Sequence, residues 1–514
     1  MKLRELLKQI KYEQIQGSLD TEITSLSRDN RKAEAGCLFI CTEGARFDTH
    51  DASVLRKLSE GGARAFVVEK DVDYDGPAAV IRVPDTRIAG AYIYAAWYGY
   101  PAKQLTMIGI TGSKGKTTTA HMLTGILRKA GRKVGLIGTN GVSYGNVSRE
   151  LANTTPDYDE LQALLADMVR EGVDTCVLEV SSQAVKKHRT EGILFDIGIW
   201  MNIQKGDHVG PNEHETFEDY FRCKAELLNQ SLKALVHADD PLMPELMRIV
   251  RTPVIFFGAG EDADYRAADL KNVFDEETRT PGITFTVEKH TRAEKNRESA
   301  EREGIGSDGA LCGARFFVNL PGDFNTWNAL AALSAADLLK TPVSAMKEAL
   351  QNVRIKGRDD MVYRGKFQVC VDFAHNGEST WAHLRAMREY RPRRLICIFG
   401  ADGNRSIGRR LGMGEAAGNL ADLAIVTSGH NRFETFEQIL ADTETGLRKA
   451  PHPNYIAIKD RAEAIRYALS NAEEGDLITI IGLGHEHWQE EMGVKHYWND
   501  EEFVLKTLKE LGYE

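Results

Sequence analysis

Residues 107–127, MIGITGSKGKTTTAHMLTGIL, place Gly112, Gly115, Lys116 and Thr117 between an apolar strand-like run and an amphipathic helical pattern. Glycines at such a turn let backbone N–H groups fold around a phosphate, and the start of the next helix adds a dipole favourable to an anion. Lys116 then reaches the terminal phosphates as a point charge, and the Thr117 hydroxyl is placed to ligate Mg2+. The spacing is not the strict GxxxxGK[ST], since Ile110 holds the first glycine position with Gly109 before it. A glycine-rich turn with a chance lysine is the bland alternative, and the flanking strand and helix argue against it.

Glu179 closes the apolar run TCVLEV. A carboxylate in a buried strand is costly unless paired or metal-bound, and the carboxyl edge of a parallel sheet is where a Mg2+ ligand would sit. A solvated carboxylate just past the strand end is an equal reading of Glu179 alone. Asp207-His208 follow another strand run, IGIWMNI, where a lone histidine is more often structural; Lys224 in YFRCKAELL reads by itself as a solvated helix lysine. Towards the C-terminus, Asp372 to His375, Gly403-Asn404-Arg405, His430-Asn431-Arg432 and Gly482 to Glu486 each follow a strand run directly. In a doubly wound sheet these loops converge on one edge. Two arginines with a glutamate there suit an amino acid, cations for its carboxylate and an anion for its ammonium. A surface salt-bridge cluster is the alternative.

The elements that must position these residues fall into three blocks: 1–101, with short strands among helices; 102–345, with six apolar strand runs alternating with helical segments; and 346–514, where that alternation restarts. The pattern predicts an α/β protein of three domains, the second and third built on parallel sheets covered by helices. A chain of 514 residues is too long for one core. The net charge of −10 argues against a general nucleic-acid or membrane-surface binder, which needs a basic face. The start, MKLRELLKQIKYEQ, has no signal-peptide core, and no run approaches a membrane span, so a soluble cytoplasmic protein is expected. The most apolar stretch, 88–100, reads as a packed helix. The polar segment 286–310 reads as a solvated hairpin or loop excursion. Seven scattered cysteines read as reduced and mostly buried; Cys37 with Cys41, and His485-Glu486-His487, are rejected as metal sites because no second pair or second HExxH histidine answers them.

TGSKGKTT, NTTPD, LEVSSQA with a later Arg189, MNI followed by DH, and CKAELL occur in this order and at similar spacing in the Mur ligases. RDNRKAEAGCLFICTEGARFD, LPGDFNTWNALAAL, KGRDDMV, VDFAHN, FGADGNRSIGRR and GLGHE match further landmarks of that family. The chain resembles it over essentially its whole length, and its E-type branch most of all. The resemblance implies an ATP-dependent ligase that joins a diamino acid to UDP-N-acetylmuramoyl-L-alanyl-D-glutamate through an acyl-phosphate, meso-diaminopimelate ahead of L-lysine. It assigns ATP to Gly112, Ser113, Lys114, Gly115, Lys116, Thr117 and Thr118, with Asn325, Arg358, Asp372 and His375 completing that site. Thr117 and Glu179 would hold one Mg2+, and His208 with a carbamylated Lys224 a second. Asn30 and Arg31 fall in the uridine-binding segment; Asn153, Thr154, Thr155, Ser181 and Arg189 would bind the muramoyl-dipeptide. Arg405, His430, Asn431, Arg432, Gly482 and Glu486 would bind the amino acid. The implied partners are these small molecules, with no nucleic acid and no membrane, and a monomer is expected.

The chain also departs from the family's pattern. Asn30 stands where the family has serine, Lys187 where it has glutamine, and Leu483 where it has lysine; the loop read DNPR in diaminopimelate-adding members is Gly429-His430-Asn431-Arg432. Two rivals are weighed. A folylpolyglutamate synthetase shares the chemistry but carries its phosphate loop near the chain start, whereas about 100 residues precede it here. A nucleotide-binding regulatory paralogue without turnover is opposed by the intact Lys116, Glu179, His208 and Lys224.

Overall fold

The computed structural model describes residues 1–44, 47–205, 210, 213–275, 280–289 and 311–513. Two compact units emerge, Met1–Asp264 with Ala331–Thr341, and Tyr265–Leu330 with Pro342–Glu514.

The first unit holds two sheets. The smaller comprises β1 (Glu13–Gln16), β2 (Ser25–Ser27), β3 (Cys37–Ile40), β4 (Ala65–Val68) and β5 (Ala79–Arg82) in the order β1-β5-β4-β3-β2. All neighbours are parallel except the edge strand β1. Every residue of β3 and β4 is buried, which is why both read as unbroken apolar runs. The apolar stretch near residue 90 is helix α1 (Thr86–Trp97), capped by the Asp85 carboxylate, which accepts from the N–H groups of Arg87 and Ile88.

The larger sheet of this unit contains β6 (Thr106–Thr111), followed by helix α2 (Lys116–Lys129), then β7 (Val134–Gly138), β8 (Gly141–Tyr144) and β9 (Val147–Arg149). Helix α3 (Tyr158–Arg170), β10 (Thr175–Glu179), β11 (Phe195–Trp200), helix α4 (Phe217–Asn229), β12 (Ser231–His237) and β13 (Val254–Gly258) follow. Their order is β9-β8-β7-β10-β6-β11-β12-β13, parallel from β7 to β13. All six strand runs expected in the second block are these parallel strands. Because β10 and β11 flank β6, the loops that follow β6, β10 and β11 leave the same edge side by side. Tyr158, at the start of α3, is buried in the apolar cluster of the smaller sheet beside Tyr94, so the two sheets share core within one unit.

In the second unit, β14 (Tyr265–Asp275), β15 (Thr280–Lys289) and β16 (Arg315–Val318) are antiparallel. The polar segment 286–310 thus begins as the end of β15, and from residue 290 it lies outside the described residues. A six-stranded sheet then gathers β17 (Asp360–Arg364), β18 (Gln368–Asp372), β19 (Leu395–Phe399), β20 (Leu423–Val426), β21 (Tyr455–Ala457) and β22 (Leu477–Ile481) in the order β17-β18-β22-β19-β20-β21. All but β17 run parallel. Alternate residues of β19 enter opposite cores: Leu395, Cys397 and Phe399 face one helical layer, Ile396 and Ile398 the other. The hairpin β23 (Trp488–Glu491) and β24 (Val494–Tyr497) follows β22. The seven cysteines are free thiols, five of them buried. Among the described residues no helix is long and apolar enough to cross a membrane.

Candidate active site

Gly115 takes a left-handed φ of 84° at the N-cap of α2, a conformation a side chain would resist. That turn aims Lys116 back over its own loop, where Nζ donates to the Gly112 carbonyl at 2.8 Å and to Ser113 O at 3.4 Å. The loop is braced from β11. Asn202 accepts from Lys114 N–H at 2.9 Å and donates to Lys114 O at 3.1 Å, while Ser113 N–H donates to Asn202 O at 2.9 Å. Ser113 Oγ lies 2.8 Å from the Tyr220 hydroxyl and accepts from Gln204 N–H at 2.9 Å. Thr118 stands half-buried in the first turn of α2.

Glu179, at the end of β10, is 1% exposed. Its carboxylate accepts from Thr117 Oγ1 at 2.9 Å, Thr139 Oγ1 at 3.0 Å and Thr139 N–H at 2.9 Å. Gly138 makes this possible: a Cβ there would lie 2.1 Å from Glu179 Oε1. All these donors are neutral, and among the described residues no cationic side chain pairs with Glu179. A buried carboxylate without a cationic partner is costly, and a bound metal ion would offset that cost.

Lys224 is not the solvated helix lysine its local sequence suggests. It is 2% exposed on α4, with Nζ donating to the Gly112 carbonyl at 2.8 Å and lying 4.8 Å from the centre of the Tyr220 ring. Two amines, Lys116 and Lys224, therefore converge on one carbonyl oxygen. Asp207 and His208 lie outside the described residues.

Beside Glu179, Thr155 is fully buried, its hydroxyl donating to Glu179 O at 2.8 Å and accepting from Ser181 N–H at 3.1 Å. Thr154 Oγ1 is 3.2 Å from Thr139 Oγ1, and Asn153 is exposed. Ser181 caps the short helix Ser182–Lys186. Arg189 donates to Thr155 O at 2.8 Å and pairs with Asp157 at 2.6 Å. Asp157 in turn pairs with Arg28, which also meets Asp159 at 3.1 Å and stacks over Tyr158. Burial works to raise the Asp157 carboxyl, but Arg28 and Arg189 outweigh it and hold it below the usual range. Burial likewise opposes the charge of Arg28, and Asp159, Tyr158 and Asp157 raise it above its ordinary value. In the smaller sheet, Asn30 lines a cavity of about 640 Å3 with Phe47, Thr49, His50 and Lys70, whereas exposed Arg31 is folded onto Asp29.

The second unit carries the remaining candidates. Asn325 is 1% exposed, donating to Pro321 O at 2.8 Å and accepting from Asn328 at 2.9 Å. Arg358 stacks over the Phe373 ring at 4.6 Å, and His375 Nδ1 donates to Phe373 O at 2.9 Å. Asp372, ending β18, accepts from the N–H groups of Asp359 and Ala374. Behind it, His383 Nδ1 meets Asp359 Oδ1 at 2.6 Å and lies 3.8 Å from Asp372, while Nε2 meets Thr479 Oγ1 at 2.6 Å. Burial opposes a charge on His383, but Asp372 and Asp359 outweigh it and raise the imidazole above 6.5.

Around β20 and β22, Arg432 has a left-handed φ of 52° and pairs with Asp402 at 3.3 Å and Glu490 at 3.8 Å. His430, 3% exposed, has Nε2 against Glu486 at 2.8 Å, accepts Glu490 N–H on Nδ1 and stacks on Trp488. That commits both ring nitrogens within the protein. Asn431 is also buried, donating to Ser428 Oγ. Gly482 donates its N–H to Asp372 O, and Arg405 is exposed.

A family model described as the Mur ligase middle domain matches residues 110–336, and another, the Mur ligase glutamate ligase domain, matches 357–484. The UDP-N-acetylmuramoyl-L-alanyl-D-glutamate–2,6-diaminopimelate ligase of Caldanaerobacter subterraneus is 35% identical over 510 residues, covering 99% of each chain. The ligase of the same name from Clostridium perfringens is 33% identical over 517 residues, covering 99% of this chain and 100% of its own. The chain belongs to the Mur ligase family. A solved structure titled as a UDP-N-acetylmuramoyl-L-alanyl-D-glutamate–2,6-diaminopimelate ligase superposes with a TM-score of 0.66 at 24% identity, covering 99% of both chains. Within this Mur ligase chain, sequence reasoning missed Thr139, Asn202, Tyr220, Arg28 and Asp157 as supports, and Asp402 as the partner of Arg432. Asn202 had a usable signal: it follows β11, the strand flanking β6 at the point where ligand loops gather. Among the described residues, two further groups bring three candidate metal ligands within 4.8 Å, His214 with Asp219 and Cys223, and Asp359 with Asp372 and His383. In the first, Lys186 already sits 2.7 Å from Asp219.

Proposed function

We propose that this enzyme is an ATP-dependent carbon–nitrogen ligase of peptidoglycan precursor synthesis. It adds a diamino acid, meso-diaminopimelate ahead of L-lysine, to UDP-N-acetylmuramoyl-L-alanyl-D-glutamate. The observation that carries the reading is the cluster at the edge of β6, β10 and β11. Lys116 and Lys224 meet on Gly112, and Thr117 meets buried Glu179 beside them, in a chain that aligns end to end with diaminopimelate ligases. That end-to-end alignment also supports the muramoyl substrate over a folylpolyglutamate, and the kept Lys116, Glu179 and Lys224 speak against a protein without turnover.

The work divides along the chain: 1–101 takes the uridine end, 102–345 the phosphoryl chemistry, and 346–514 the incoming amino acid. The glutamyl carboxylate attacks the terminal phosphate of ATP, ADP leaves, and an acyl-phosphate forms. The amine of the third amino acid attacks its carbonyl, and phosphate leaves from the tetrahedral intermediate. Positioning and charge stabilisation supply most of the acceleration. Lys116 meets the transferring phosphate, while Gly112 to Thr118 cradle the nucleotide; the family resemblance also assigns Asn325, Arg358, Asp372 and His375 to ATP. Asn153, Thr154, Thr155, Ser181 and Arg189 hold the muramoyl-dipeptide, Arg189 being fixed by Asp157.

The donor set of Thr117 and Glu179 fits Mg2+: hard oxygens and a buried carboxylate without a cationic partner. Bound there, the ion supplies charge neutralisation on the phosphates. His208 and Lys224, the latter as a carbamate, would hold a second. Carbamylation would turn this buried cation into an oxygen ligand, and the 2% exposure of Lys224 beside the phosphate loop supports that reading. Arg405, Arg432 and Glu486 receive the amino acid, with His430 and Asn431 behind them. The test is product mass: with ATP, Mg2+, the UDP-muramoyl-dipeptide and diaminopimelate, one ADP and one UDP-muramoyl-tripeptide should form per phosphate. ADP without tripeptide, or neither, would overturn the reading.

A further inference from the structure

Arg432 is the cation placed to receive a carboxylate at the far end of the incoming side chain, yet the protein already surrounds it with oxygen. Its Nη2 faces Asp402 Oδ2 at 3.3 Å, Nη1 donates to Gly403 O at 3.3 Å, and Nε lies 3.8 Å from Glu490 Oε2. The backbone is pinned too: Arg432 N–H donates to Glu490 O at 3.0 Å, and Arg432 O accepts from Met492 N–H. One guanidinium thus stands between two carboxylates, and Glu486 adds a third acid nearby through His430. The side chains of Arg432, Asp402 and Glu490 are 17%, 16% and 20% exposed, so screening by water is partial.

From this arrangement we propose that Asp402 is a specificity-determining residue: its carboxylate competes with the substrate's distal carboxylate for Arg432 and thereby weakens discrimination between diaminopimelate and lysine. The proposal rests on the reading of the third substrate given above. The pair is mostly desolvated, so Asp402→Asn, which keeps the size and an acceptor oxygen, removes the charge with the least disturbance to Arg432. A second carboxylate brought to the same guanidinium meets Asp402 as a like charge within several ångströms, where repulsion is substantial at partial exposure. A distal ammonium is attracted by Asp402, Glu486 and Glu490 and repelled by Arg432, and it is carried by diaminopimelate and lysine alike, so it does not separate them. Asp402 therefore penalises diaminopimelate, which carries both groups, relative to lysine, which carries the ammonium alone. Glu490 acts in the same direction from further away.

The experiment is ligation kinetics with diaminopimelate and with lysine on the wild type, Asp402→Asn and Glu490→Gln. The ratio of kcat/KM for diaminopimelate over lysine should rise about tenfold in Asp402→Asn, mainly through a lower KM for diaminopimelate, and by a smaller factor in Glu490→Gln. An unchanged or lower ratio in Asp402→Asn would overturn the proposal and make Asp402 an orienting partner of Arg432. If Asp402→Asn does not fold, Glu490→Gln decides by the same sign. Failure of the parent reading looks different, since the wild type then ligates neither amino acid. Calorimetric titration of diaminopimelate into the wild type and Asp402→Asn then decides: tighter binding to the variant sustains the competition, and equal or absent binding rejects it.

Discussion

The loop after β6 and the loop after β20 each carry a cationic side chain, and they surround it differently. Lys116 faces backbone carbonyls, and the nearby acid, Glu179, is held by neutral donors alone. Arg432 is set between two carboxylates. Glu179 leaves its charge to be balanced by what binds, which suits a site for a metal ion. The second cluster is balanced in advance, so a carboxylate arriving there must compete with the protein's own acids.

Breaking the first cluster should abolish the reaction for every amino acid alike. Lys116→Ala is expected to lower ligation by at least ~10^3-fold with diaminopimelate and lysine equally, with the thermal unfolding profile unchanged, because the proposed mechanism places Lys116 on the transferring phosphate. Ligation within about tenfold of wild type would remove Lys116 from that role. Lys224→Ala should cost about 10^2-fold and recover in part with added short carboxylates that replace the carbamate. A bare amine by mass in bicarbonate buffer, together with no rescue, would count against the modification.

Breaking the second cluster should alter choice more than rate. Arg432→Ala is expected to cut the diaminopimelate-over-lysine ratio of kcat/KM by about 10-fold or more, the loss appearing largely in KM for diaminopimelate. An unchanged ratio would show that Arg432 is not the selector. The smallest effect concerns stability. Since Asp372 and Asp359 outweigh burial and raise His383 above 6.5, its charged form contributes stability that is complete below that pH and lost as pH rises through the folded value. His383→Gln should lower the melting temperature at pH 6 by about 2–4 °C and flatten its decline towards pH 9. A variant with the wild-type slope would exclude His383 as the titrating group.

How much of this was legible in the sequence follows from how local each feature is. The phosphate loop is one strand, one turn and one helix start, so its spacing exposes Gly115, Lys116 and Thr117 directly. The parallel strands were legible because both faces are covered and the runs are unbroken in apolar residues, as in β3 and β19. The three-residue β21 and the edge strand β17, with one partner each, leave weaker patterns. Lys224 was readable only through the family resemblance, because its burial depends on packing of α4 against the β6 loop, which helical spacing does not reveal. The pairing of Arg432 with Asp402 joins loops after β20 and β19, 30 residues apart, and nothing local to either signals it. His430 shows the converse: its neighbours named it a ligand contact, while packing against Trp488 and Glu486 turns it inward.

The central claim is the addition of a diamino acid chosen at its distal end, and a competition assay tests it most directly. The wild-type enzyme is given ATP, Mg2+, UDP-N-acetylmuramoyl-L-alanyl-D-glutamate and equimolar meso-diaminopimelate and L-lysine, and the two tripeptide products are separated by mass. The diaminopimelate product should predominate. A predominance of the lysine product, or phosphate release without either product, would contradict it.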